Sequence, residues 1–315
     1  MKVFSADDVH RQLDYPGLVE ALRAVFKDGV DVLHRFSFTQ SLPDGKQNDW
    51  ILLPAWQFNK YQGIKLVSVY PGNEKRGLAS VQGLYVLMDG QTGVPVACMD
   101  GAALTVRKTA ANSALAATYL AREDCKKMLM VGAGSLAPHL IQAHCAVRPI
   151  KQVYIWNRNS AKANEVAAEL QQLGDFTVSI EVITDLEKAA AECDLISCAT
   201  MASEPLIKGS WLKKGAHLDL VGGYRPDMRE ADDEAIRRAG RVFVDAKSTV
   251  DDCGDICGPL AAGLIKESDI SDTFQLARGQ RPGRQSAEEI TLFKSGGGGH
   301  EDLASAQYLL QKTSV

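Results

Sequence analysis

The stretch Met128-Leu-Met-Val-Gly-Ala-Gly-Ser-Leu-Ala137 decides the fold. Its apolar start, residues 128–131, predicts a short buried strand, and a helical run follows the glycines. Gly132, Gly134 and Ala137 have the GxGxxA spacing. In this motif the first glycine makes a tight turn, the second lets the backbone approach a diphosphate, and the small third residue lets the helix pack closely on the strand. A second strand ends about 20 residues later, as the motif requires. We therefore predict a Rossmann dinucleotide-binding site rather than a glycine turn without a ligand.

The end of that second strand, residues 153–156, indicates which cofactor binds. An acidic residue there binds the ribose 2′-hydroxyl of NAD, whereas an arginine accommodates a 2′-phosphate. The chain has Asn157-Arg158-Asn159-Ser160, with no carboxylate. We expect NADPH to be preferred and NADH to be possible, with Arg158 as the contact; the alternative is a solvated arginine in a turn. The residues assigned to cofactor binding are Gly132, Gly134, Ser135, Leu136, Ala137, Asn157, Arg158, Asn159, Thr200, Met201 and Ser295.

Strands and helices alternate through the second half of the chain. The predicted strands are 128–131, 153–156, 178–183, 195–199, 217–221 and 242–244. This alternation indicates βαβ units and a parallel sheet. The predicted fold class is α/β, with a Rossmann domain over residues 118–299.

The first half of the chain predicts an α+β domain over residues 1–117, joined by a C-terminal helix at 300–315. Ser5 and Asp8 form a weak capping box, and Asp14 caps a second helix. Residues 36–100 have a β pattern, and an Ala-rich helix is predicted at 104–120. Arg107 and Lys108 would then lie in its first turn, against the helix dipole, which hints at a docked anion.

Composition excludes several classes of protein. The net charge of −4, from 35 basic and 39 acidic residues, leaves no basic stripe, so we expect no nucleic-acid partner. The first residues, Met1 to Asp8, lack the apolar core of a signal peptide, and the sequence has no apolar run of about 18 residues, so we expect a cytoplasmic protein without membrane contact. Seven scattered cysteines are expected to be reduced, and their spacing predicts no metal site.

Several motifs resemble one family along nearly the whole chain. They are Gly63-Ile-Lys-Leu-Val-Ser-Val-Tyr-Pro-Gly-Asn73, Leu87-Met-Asp-Gly-Gln-Thr-Gly93, Leu104-Thr-Val-Arg-Lys-Thr-Ala-Ala111, Ile155-Trp-Asn-Arg158 and Thr291-Leu-Phe-Lys-Ser295. With the turn at Gly132, they look like the ornithine cyclodeaminase/μ-crystallin family. The resemblance implies a homodimer in which one domain binds substrate and dimerises, while a Rossmann domain binds the nicotinamide cofactor.

The resemblance also implies roles for four residues of the first domain. Lys65 matches a lysine that approaches the substrate, and Arg107 matches the arginine that clamps its carboxylate with a planar fork. Arg35 matches a second carboxylate-binding arginine, with an exposed surface arginine as the alternative. Ser80 falls where members have a small hydroxyl residue near the substrate. Lys65 follows the pattern of a buried strand, where an unpaired ammonium is costly, so a solvated lysine is the weaker interpretation.

The turn Gly222-Gly-Tyr-Arg-Pro-Asp-Met-Arg-Glu230 separates the members of the family. The cyclodeaminases and alanine dehydrogenases have an acid directly after the glycine pair, where this chain has Tyr224, whose neutral phenol cannot replace a carboxylate base. The pattern resembles the imine reductases of the family, with Tyr224 at the substrate. It implies NAD(P)H-dependent reduction of Δ1-pyrroline-2-carboxylate, Δ1-piperideine-2-carboxylate or both to L-proline or L-pipecolate. A cyclodeaminase or amino-acid dehydrogenase, and a crystallin-like binding protein that retains the cofactor, are the alternatives.

Two residues are candidates for moving the proton. Lys65 supplies or orients the imine proton if burial lowers its pKa. His300 opens a helix after four glycines and could shuttle a proton. Alternatively, Glu301 and Asp302 simply favour the positive end of that helix.

Overall fold

A computed structural model describes residues 1–43, 47–174 and 176–313. The chain divides into two compact units, Met1–Lys108 with Gly298–Val315, and Thr109–Gly297. The division falls inside the helix Gly101–Leu120, nine residues before the predicted boundary at residue 117 of the same helix. The last two positions of the predicted helix 300–315 lie outside the described residues. Within the described ranges, no helix combines the length and apolar character needed to cross a membrane.

The helices and strands follow in chain order. They are β1 (Lys2–Phe4), α1 (Ala6–Gln12), α2 (Tyr15–Asp28), β2 (Asp31–Val32), β3 (Phe36–Ser41), β4 (Gln47–Gln57), β5 (Tyr61–Val69), β6 (Val81–Asp89), β7 (Pro95–Asp100), α3 (Gly101–Leu120), β8 (Lys127–Val131), α4 (Ala137–Val147), β9 (Gln152–Trp156), α5 (Ser160–Gln171), β10 (Ser179–Val182), α6 (Leu186–Glu192), β11 (Leu195–Cys198), β12 (His217–Leu220), α7 (Asp233–Ala239), β13 (Val242–Val244), α8 (Thr249–Asp252), α9 (Gly254–Ala261), β14 (Ile270–Asp272), α10 (Thr273–Ala277), β15 (Thr291–Lys294) and α11 (Gly299–Lys312).

The first unit is an α+β layer built on a mostly antiparallel sheet. The strand order is β1-β7-β6-β5-β4-β2, β3 also pairs with β4, and only the β1–β7 pair is parallel among the described strands. The predicted caps are present: Ser5 and Asp8 complete a capping box, and Asp14 accepts a bond from the Gly17 N–H. Helix α11 packs on β4, β5 and β6 and against α2, so the C-terminal helix returns to the first unit.

Helix α3 corrects one step of the sequence analysis. It begins at Gly101, three residues before the predicted start, because Asp100 accepts a hydrogen bond from the Ala103 N–H at 2.8 Å. Arg107 and Lys108 therefore lie in the second turn, where the dipole of the helix end has largely fallen off. The prediction that they occupy the first turn was wrong, and the dipole gives no reason to place an anion there.

The second unit has the Rossmann architecture. Its described strands form one parallel sheet in the order β10-β9-β8-β11-β12-β15-β13-β14, which begins with the doubly wound order 3-2-1-4-5. The central strands β11, β12, β13 and β15 are buried along their whole length, as expected for strands covered on both faces. The six strands predicted in this half are present, with ends that differ by at most one residue. Strands β14 and β15 were not predicted, and β15 lies between β12 and β13.

One buried carboxylate fixes the elements around the central strands. Asp219 of β12 accepts hydrogen bonds from Ser113 Oγ of α3 at 2.9 Å, Ser197 Oγ of β11 at 2.6 Å and His144 Nε2 of α4 at 3.1 Å. Burial alone would raise the pKa of Asp219, but the bonds from His144 and Ser197 hold it below its ordinary value. Asp219 therefore serves the core of the sheet, because its oxygens are committed to these three donors.

Candidate active site

The glycine turn after β8 has the shape of a diphosphate cradle. The Gly132 N–H donates to the Trp156 carbonyl at 2.8 Å, and its φ is +109°. A Cβ on Gly132 would meet the Ala199 carbonyl oxygen at 2.5 Å, so only glycine fits this approach of two strand ends. Gly134 faces open space instead, with no atom within 4 Å of an added Cβ. This open space is what a diphosphate needs to reach the backbone.

The start of α4 is suited to an anion. Its N-cap, Leu136, gives no side-chain hydrogen bond to the helix, so the first N–H groups are not capped by that side chain. Ser135 is exposed beside them, and the buried Ala137 lets the helix lie close to β8. Such a helix start attracts phosphate through its N–H groups and its dipole. The predicted residues therefore fit a dinucleotide.

The loop after β9 is arranged around its asparagines. Asn159 caps α5 by accepting from the Ala161 N–H at 3.0 Å, and Asn157 donates to the Asn159 carbonyl at 2.8 Å. Arg158 is exposed between them, and in the described part of the chain it has no hydrogen bond or ion pair. Two predicted contact residues thus hold the turn, while the guanidinium of the third is exposed to solvent.

Three further predicted cofactor residues follow β11 and β15, the two strands that flank β12 in this sheet. Thr200 comes after β11, and its N–H and hydroxyl both donate to the buried Glu230. Met201, next in sequence, is 67% exposed. Ser295 follows β15, its N–H donates to the Leu220 carbonyl at 2.9 Å, and it is buried. All three lie at the carboxyl ends of the strands, the edge where open α/β sheets bind ligands.

In the first unit, the predicted catalytic lysine belongs to a buried ion pair. Lys65 is 4% exposed, and its Nζ lies 2.9 Å from Asp302 Oδ2 and 3.0 Å from Oδ1. The same ammonium donates to Thr105 Oγ1 of α3 at 3.2 Å. The expectation of a buried lysine was correct, but the partner was missed. The general rule that a buried ammonium needs a carboxylate was the available signal.

A second buried pair completes the cluster. Lys108 of α3 donates to Glu301 at 2.5 Å, so two cations meet two successive carboxylates at the start of α11. Burial lowers the pKa of Lys65, and Lys108 lowers it further, while Asp302 and Glu301 act in the opposite direction. The net pKa of Lys65 is below its ordinary value, which suits a group that gives up a proton.

Arg107 stands apart from these balanced pairs. Its guanidinium lies over the ring of Tyr15, with Cζ 4.5 Å from the centroid, and it donates to the His10 carbonyl. Its Nε has no hydrogen-bond partner, and among the described residues no carboxylate pairs with it. The aromatic face stabilises the cation without neutralising it. A half-buried guanidinium in this state can accept the carboxylate of a small molecule.

The other substrate residues predicted in the first unit lie closer to its surface. Arg35 is exposed and directly precedes β3. Phe36 of β3 pairs with Leu52 of β4, and the next residue of β4, Leu53, pairs with Lys65 of β5. If the pairing of β3 with β4 continued by one residue, Arg35 would lie opposite Leu53. It would then be level with Lys65 across the sheet, two strand spacings or about 10 Å away. Ser80 is partly buried, and its carbonyl accepts from the Tyr70 N–H at 2.7 Å.

Two remaining candidates differ in their surroundings. Tyr224 is 41% exposed in the turn after β12, with Arg225 Cζ 5.8 Å from its ring centroid. His300 is 1% exposed, and its ring packs against Phe26 with centroids 5.4 Å apart. The role of His300 as a proton shuttle, and the alternative in which Glu301 and Asp302 favour the positive end of α11, both stay predictions.

The fold and the glycine cradle define a two-unit protein that carries a Rossmann dinucleotide-binding unit. The chain belongs to the ornithine cyclodeaminase/mu-crystallin family, whose family model matches residues 7–314.

Three relatives illustrate the similarity. The Δ1-pyrroline-2-carboxylate reductase of Paracoccus denitrificans is 38% identical over 299 residues, 91% of this chain and 92% of that protein. The solved structure of the Thermococcus litoralis Δ1-pyrroline-2-carboxylate reductase with NADH and L-proline matches at a TM-score of 0.89 and 31% identity, covering 100% of this chain and 98% of that one. An archaeal alanine dehydrogenase dimer with bound NAD matches at 0.87 and 26%, covering 100% and 96%.

The two glycines of the cradle give a matched test. Gly134→Ala adds a methyl group into open space, so we expect the free energy of unfolding to stay within about 0.5 kcal/mol of wild type. The affinity for NADH should fall about tenfold or more, because the methyl group takes the space of the diphosphate. Gly132→Ala places a side chain on a residue with a positive φ and against the Ala199 carbonyl oxygen. It should therefore lower the free energy of unfolding by about 1–3 kcal/mol or more.

Urea unfolding and NADH fluorescence measure the two effects. Unchanged NADH affinity in a folded Gly134→Ala protein would argue against the cradle.

Proposed function

We propose that this protein is an NAD(P)H-dependent imine reductase that converts Δ1-pyrroline-2-carboxylate, Δ1-piperideine-2-carboxylate or both into L-proline or L-pipecolate. The observation that carries the proposal is Arg107, a half-buried guanidinium without a carboxylate partner in the described chain. It lies on the helix that also contacts Lys65 through Thr105. The names of the Paracoccus and Thermococcus relatives support the same chemistry.

Three residues of the first unit have roles in the proposed reaction that agree with their contacts. Arg107 pairs with the substrate carboxylate through its planar fork. Lys65 donates the proton that makes the ring nitrogen an iminium, and its lowered pKa assists this transfer. Asp302 keeps enough positive charge on Lys65 for the ammonium form to persist while buried. A nicotinamide cofactor held by the cradle from Gly132 to Ala137 would supply the hydride that reduces the imine carbon.

The absence of an acid after the glycine pair favours reduction over deamination. Tyr224 occupies that position, and its exposed phenol lies beside Arg225. The buried carboxylate Asp302 forms an ion pair with Lys65: its Oδ1 accepts a hydrogen bond from the ammonium at 3.0 Å, and its Oδ2 lies 2.9 Å from the same Nζ without a hydrogen bond. An acid held in this way stabilises an ammonium group and is a poor base for activating water.

The function is tested by following NAD(P)H oxidation with the five-membered and six-membered cyclic imino acids. We expect turnover with at least one ring. Wild-type protein incubated with ornithine and NAD should release no ammonia. Ammonia release without imine reduction would indicate a cyclodeaminase, and binding of NADH without any turnover would indicate a binding protein.

In the same assay, substitutions separate the roles of Lys65 and Asp302. Lys65→Met should lower kcat/KM about a hundredfold or more, in the range of general acid effects. The active form is the ammonium, so kcat/KM falls as pH rises through the pKa of Lys65. Asp302→Asn removes an influence that raises this pKa, so the alkaline fall should move to lower pH. An alkaline limb that does not move in Asp302→Asn would contradict the assigned pairing.

The second unit is proposed to prefer NADPH through Arg158. Its exposed guanidinium, unpaired in the described chain, follows a strand end without a carboxylate. Arg158→Ala should weaken NADPH binding about tenfold and leave NADH binding within about twofold, because only NADPH has the 2′-phosphate. Lys162→Ala, an exposed cation on the following helix, is the control. Equal loss for both cofactors would remove the assignment.

The first unit is also proposed to form a homodimer through its sheet. The register puts Phe36, Phe38, Trp50 and Leu84 on one face of β3, β4 and β6, and each is at least 44% exposed. Apolar faces of this kind mark interfaces, and a second copy presents the same face. A dimer is described for the archaeal alanine dehydrogenase.

A charge on this face tests the dimer. Wild-type protein should sediment at twice the mass of one chain, and Phe36→Asp should sediment as a monomer, because the interface would bury an unpaired carboxylate. Phe58→Asp is the control, since Phe58 is 86% exposed in the turn between β4 and β5. The assignment fails if Phe36→Asp stays dimeric.

A further inference from the structure

Glu230 joins two turns of the second unit with one carboxylate. It is fully buried, and its Oε1 accepts from the Thr200 N–H at 2.7 Å and from the Thr200 hydroxyl at 2.9 Å. Its Oε2 accepts from the Gly222 N–H at 2.7 Å. The two oxygens therefore satisfy three donors from two different segments.

Those two segments lie at the ligand edge of the sheet. Thr200 comes two residues after the end of β11, and Gly222 two residues after the end of β12, its neighbour. Strand β11 pairs with β8, which carries the cradle at its end, and a Cβ on Gly132 would lie 3.2 Å from Thr200 Cγ2. The change of direction in strand order between β8 and β11 is where this fold binds a dinucleotide.

The two turns also touch each other. A Cβ on Gly222 would meet the Thr200 carbonyl oxygen at 2.0 Å, so a side chain there would push the turns apart. This close approach is the physical reason for glycine at position 222.

Glu230 also contacts a buried ion pair, which Asp255 forms with Lys294. Asp255 Oδ1 accepts from the Glu230 N–H at 2.8 Å, and its Oδ2 lies 3.5 Å from Lys294 Nζ. All three side chains are fully buried, and in the described chain neither Asp255 Oδ2 nor Lys294 Nζ has a hydrogen-bond partner. Buried polar atoms in this state need a reason beyond packing, since they cost stability. The pair anchors Glu230 through its backbone and through the charge of Lys294.

We propose that Glu230 is a positioning residue for the cofactor: by holding the turns at Thr200 and Gly222 together, it fixes the edge on which the nicotinamide half binds. This inference rests on the cofactor binding in the proposed function but not on the reduction of an imine. Glu230 itself is enclosed by the two turns, so it acts through them.

The same geometry has a consequence for pH. Burial raises the pKa of Glu230 to about 7, with Asp255 acting in the same direction and Lys294 and the hydrogen bonds from Thr200 acting against it. In the described chain, the charged groups that face this carboxylate are Asp255 from α9 and Lys294 from β15, and the thiol of Cys198, whose pKa burial and Glu230 raise, faces it from β11. Above this pH the carboxylate accepts all three bonds, and below it a proton competes with the donors. NADH should therefore bind more tightly at pH 8 than at pH 6.

Glu230→Gln is the central variant. Its amide offers one accepting oxygen where two are needed, so an N–H₂ group must face a donor of Thr200 or Gly222. Glu234→Gln on α7 is the matched control, because Glu234 is partly exposed and pairs only with Arg237 at 2.8 Å among the described residues. Amide hydrogen exchange of the two turns without cofactor and NADH binding by fluorescence are measured on both.

We expect the turns of Glu230→Gln to exchange about tenfold faster, in line with the loss of a buried hydrogen bond. NADH should bind about tenfold more weakly, with the difference between pH 6 and pH 8 abolished, while Glu234→Gln matches wild type. Wild-type exchange rates in Glu230→Gln would overturn the proposal, even if no cofactor bound at all. Imine turnover plays no part in either measurement, so its failure would count only against the proposed function. If Glu230→Gln does not fold, a flat pH profile of NADH binding in the wild type would overturn it.

Discussion

The need to pair a buried ammonium group governs the first unit. Lys65 lies within a strand covered by helix α11, and the removal of one partner from such a pair typically costs about 3–5 kcal/mol. Asp302 supplies the required carboxylate, and Lys108 finds Glu301 next to it. The C-terminal helix must therefore pack on this sheet with its first turn towards α3. Packing and charge pairing select the same position for it.

The guanidinium of Arg107 has different surroundings from the buried lysines. The buried lysines of the described chain each have a carboxylate within 3.5 Å, including Lys294 with Asp255 in the second unit. Arg107 has a ring and a carbonyl instead. Under the proposed function, this half-buried cation pairs with the carboxylate of the substrate. This contrast between residues connects the fold to the proposed binding of an imino acid.

The second unit concentrates its constraints at one edge. Gly132 and Gly222 are required by the close approach of neighbouring turns, and Glu230 ties the turns at Thr200 and Gly222 together. Asp219, deeper in the sheet, holds α3 and α4 on the same strands. The carboxylates have different tasks because their donors differ. The donors of Asp219 are side chains of the core, whereas Glu230 binds backbone N–H groups of the ligand edge.

The sequence by itself determined the features that depend on neighbours in the chain. The caps at Ser5 and Asp14, the six strands of the βαβ rhythm and the cradle from Gly132 to Ala137 follow from periodicity and spacing within about 20 residues. Tertiary structure alone decided the rest. The Lys65–Asp302 pair spans 237 residues, and β15 takes its place between β12 and β13 through pairing with both. No local pattern records which distant carboxylate or strand satisfies a buried group, because that choice is made by the packing of the whole unit.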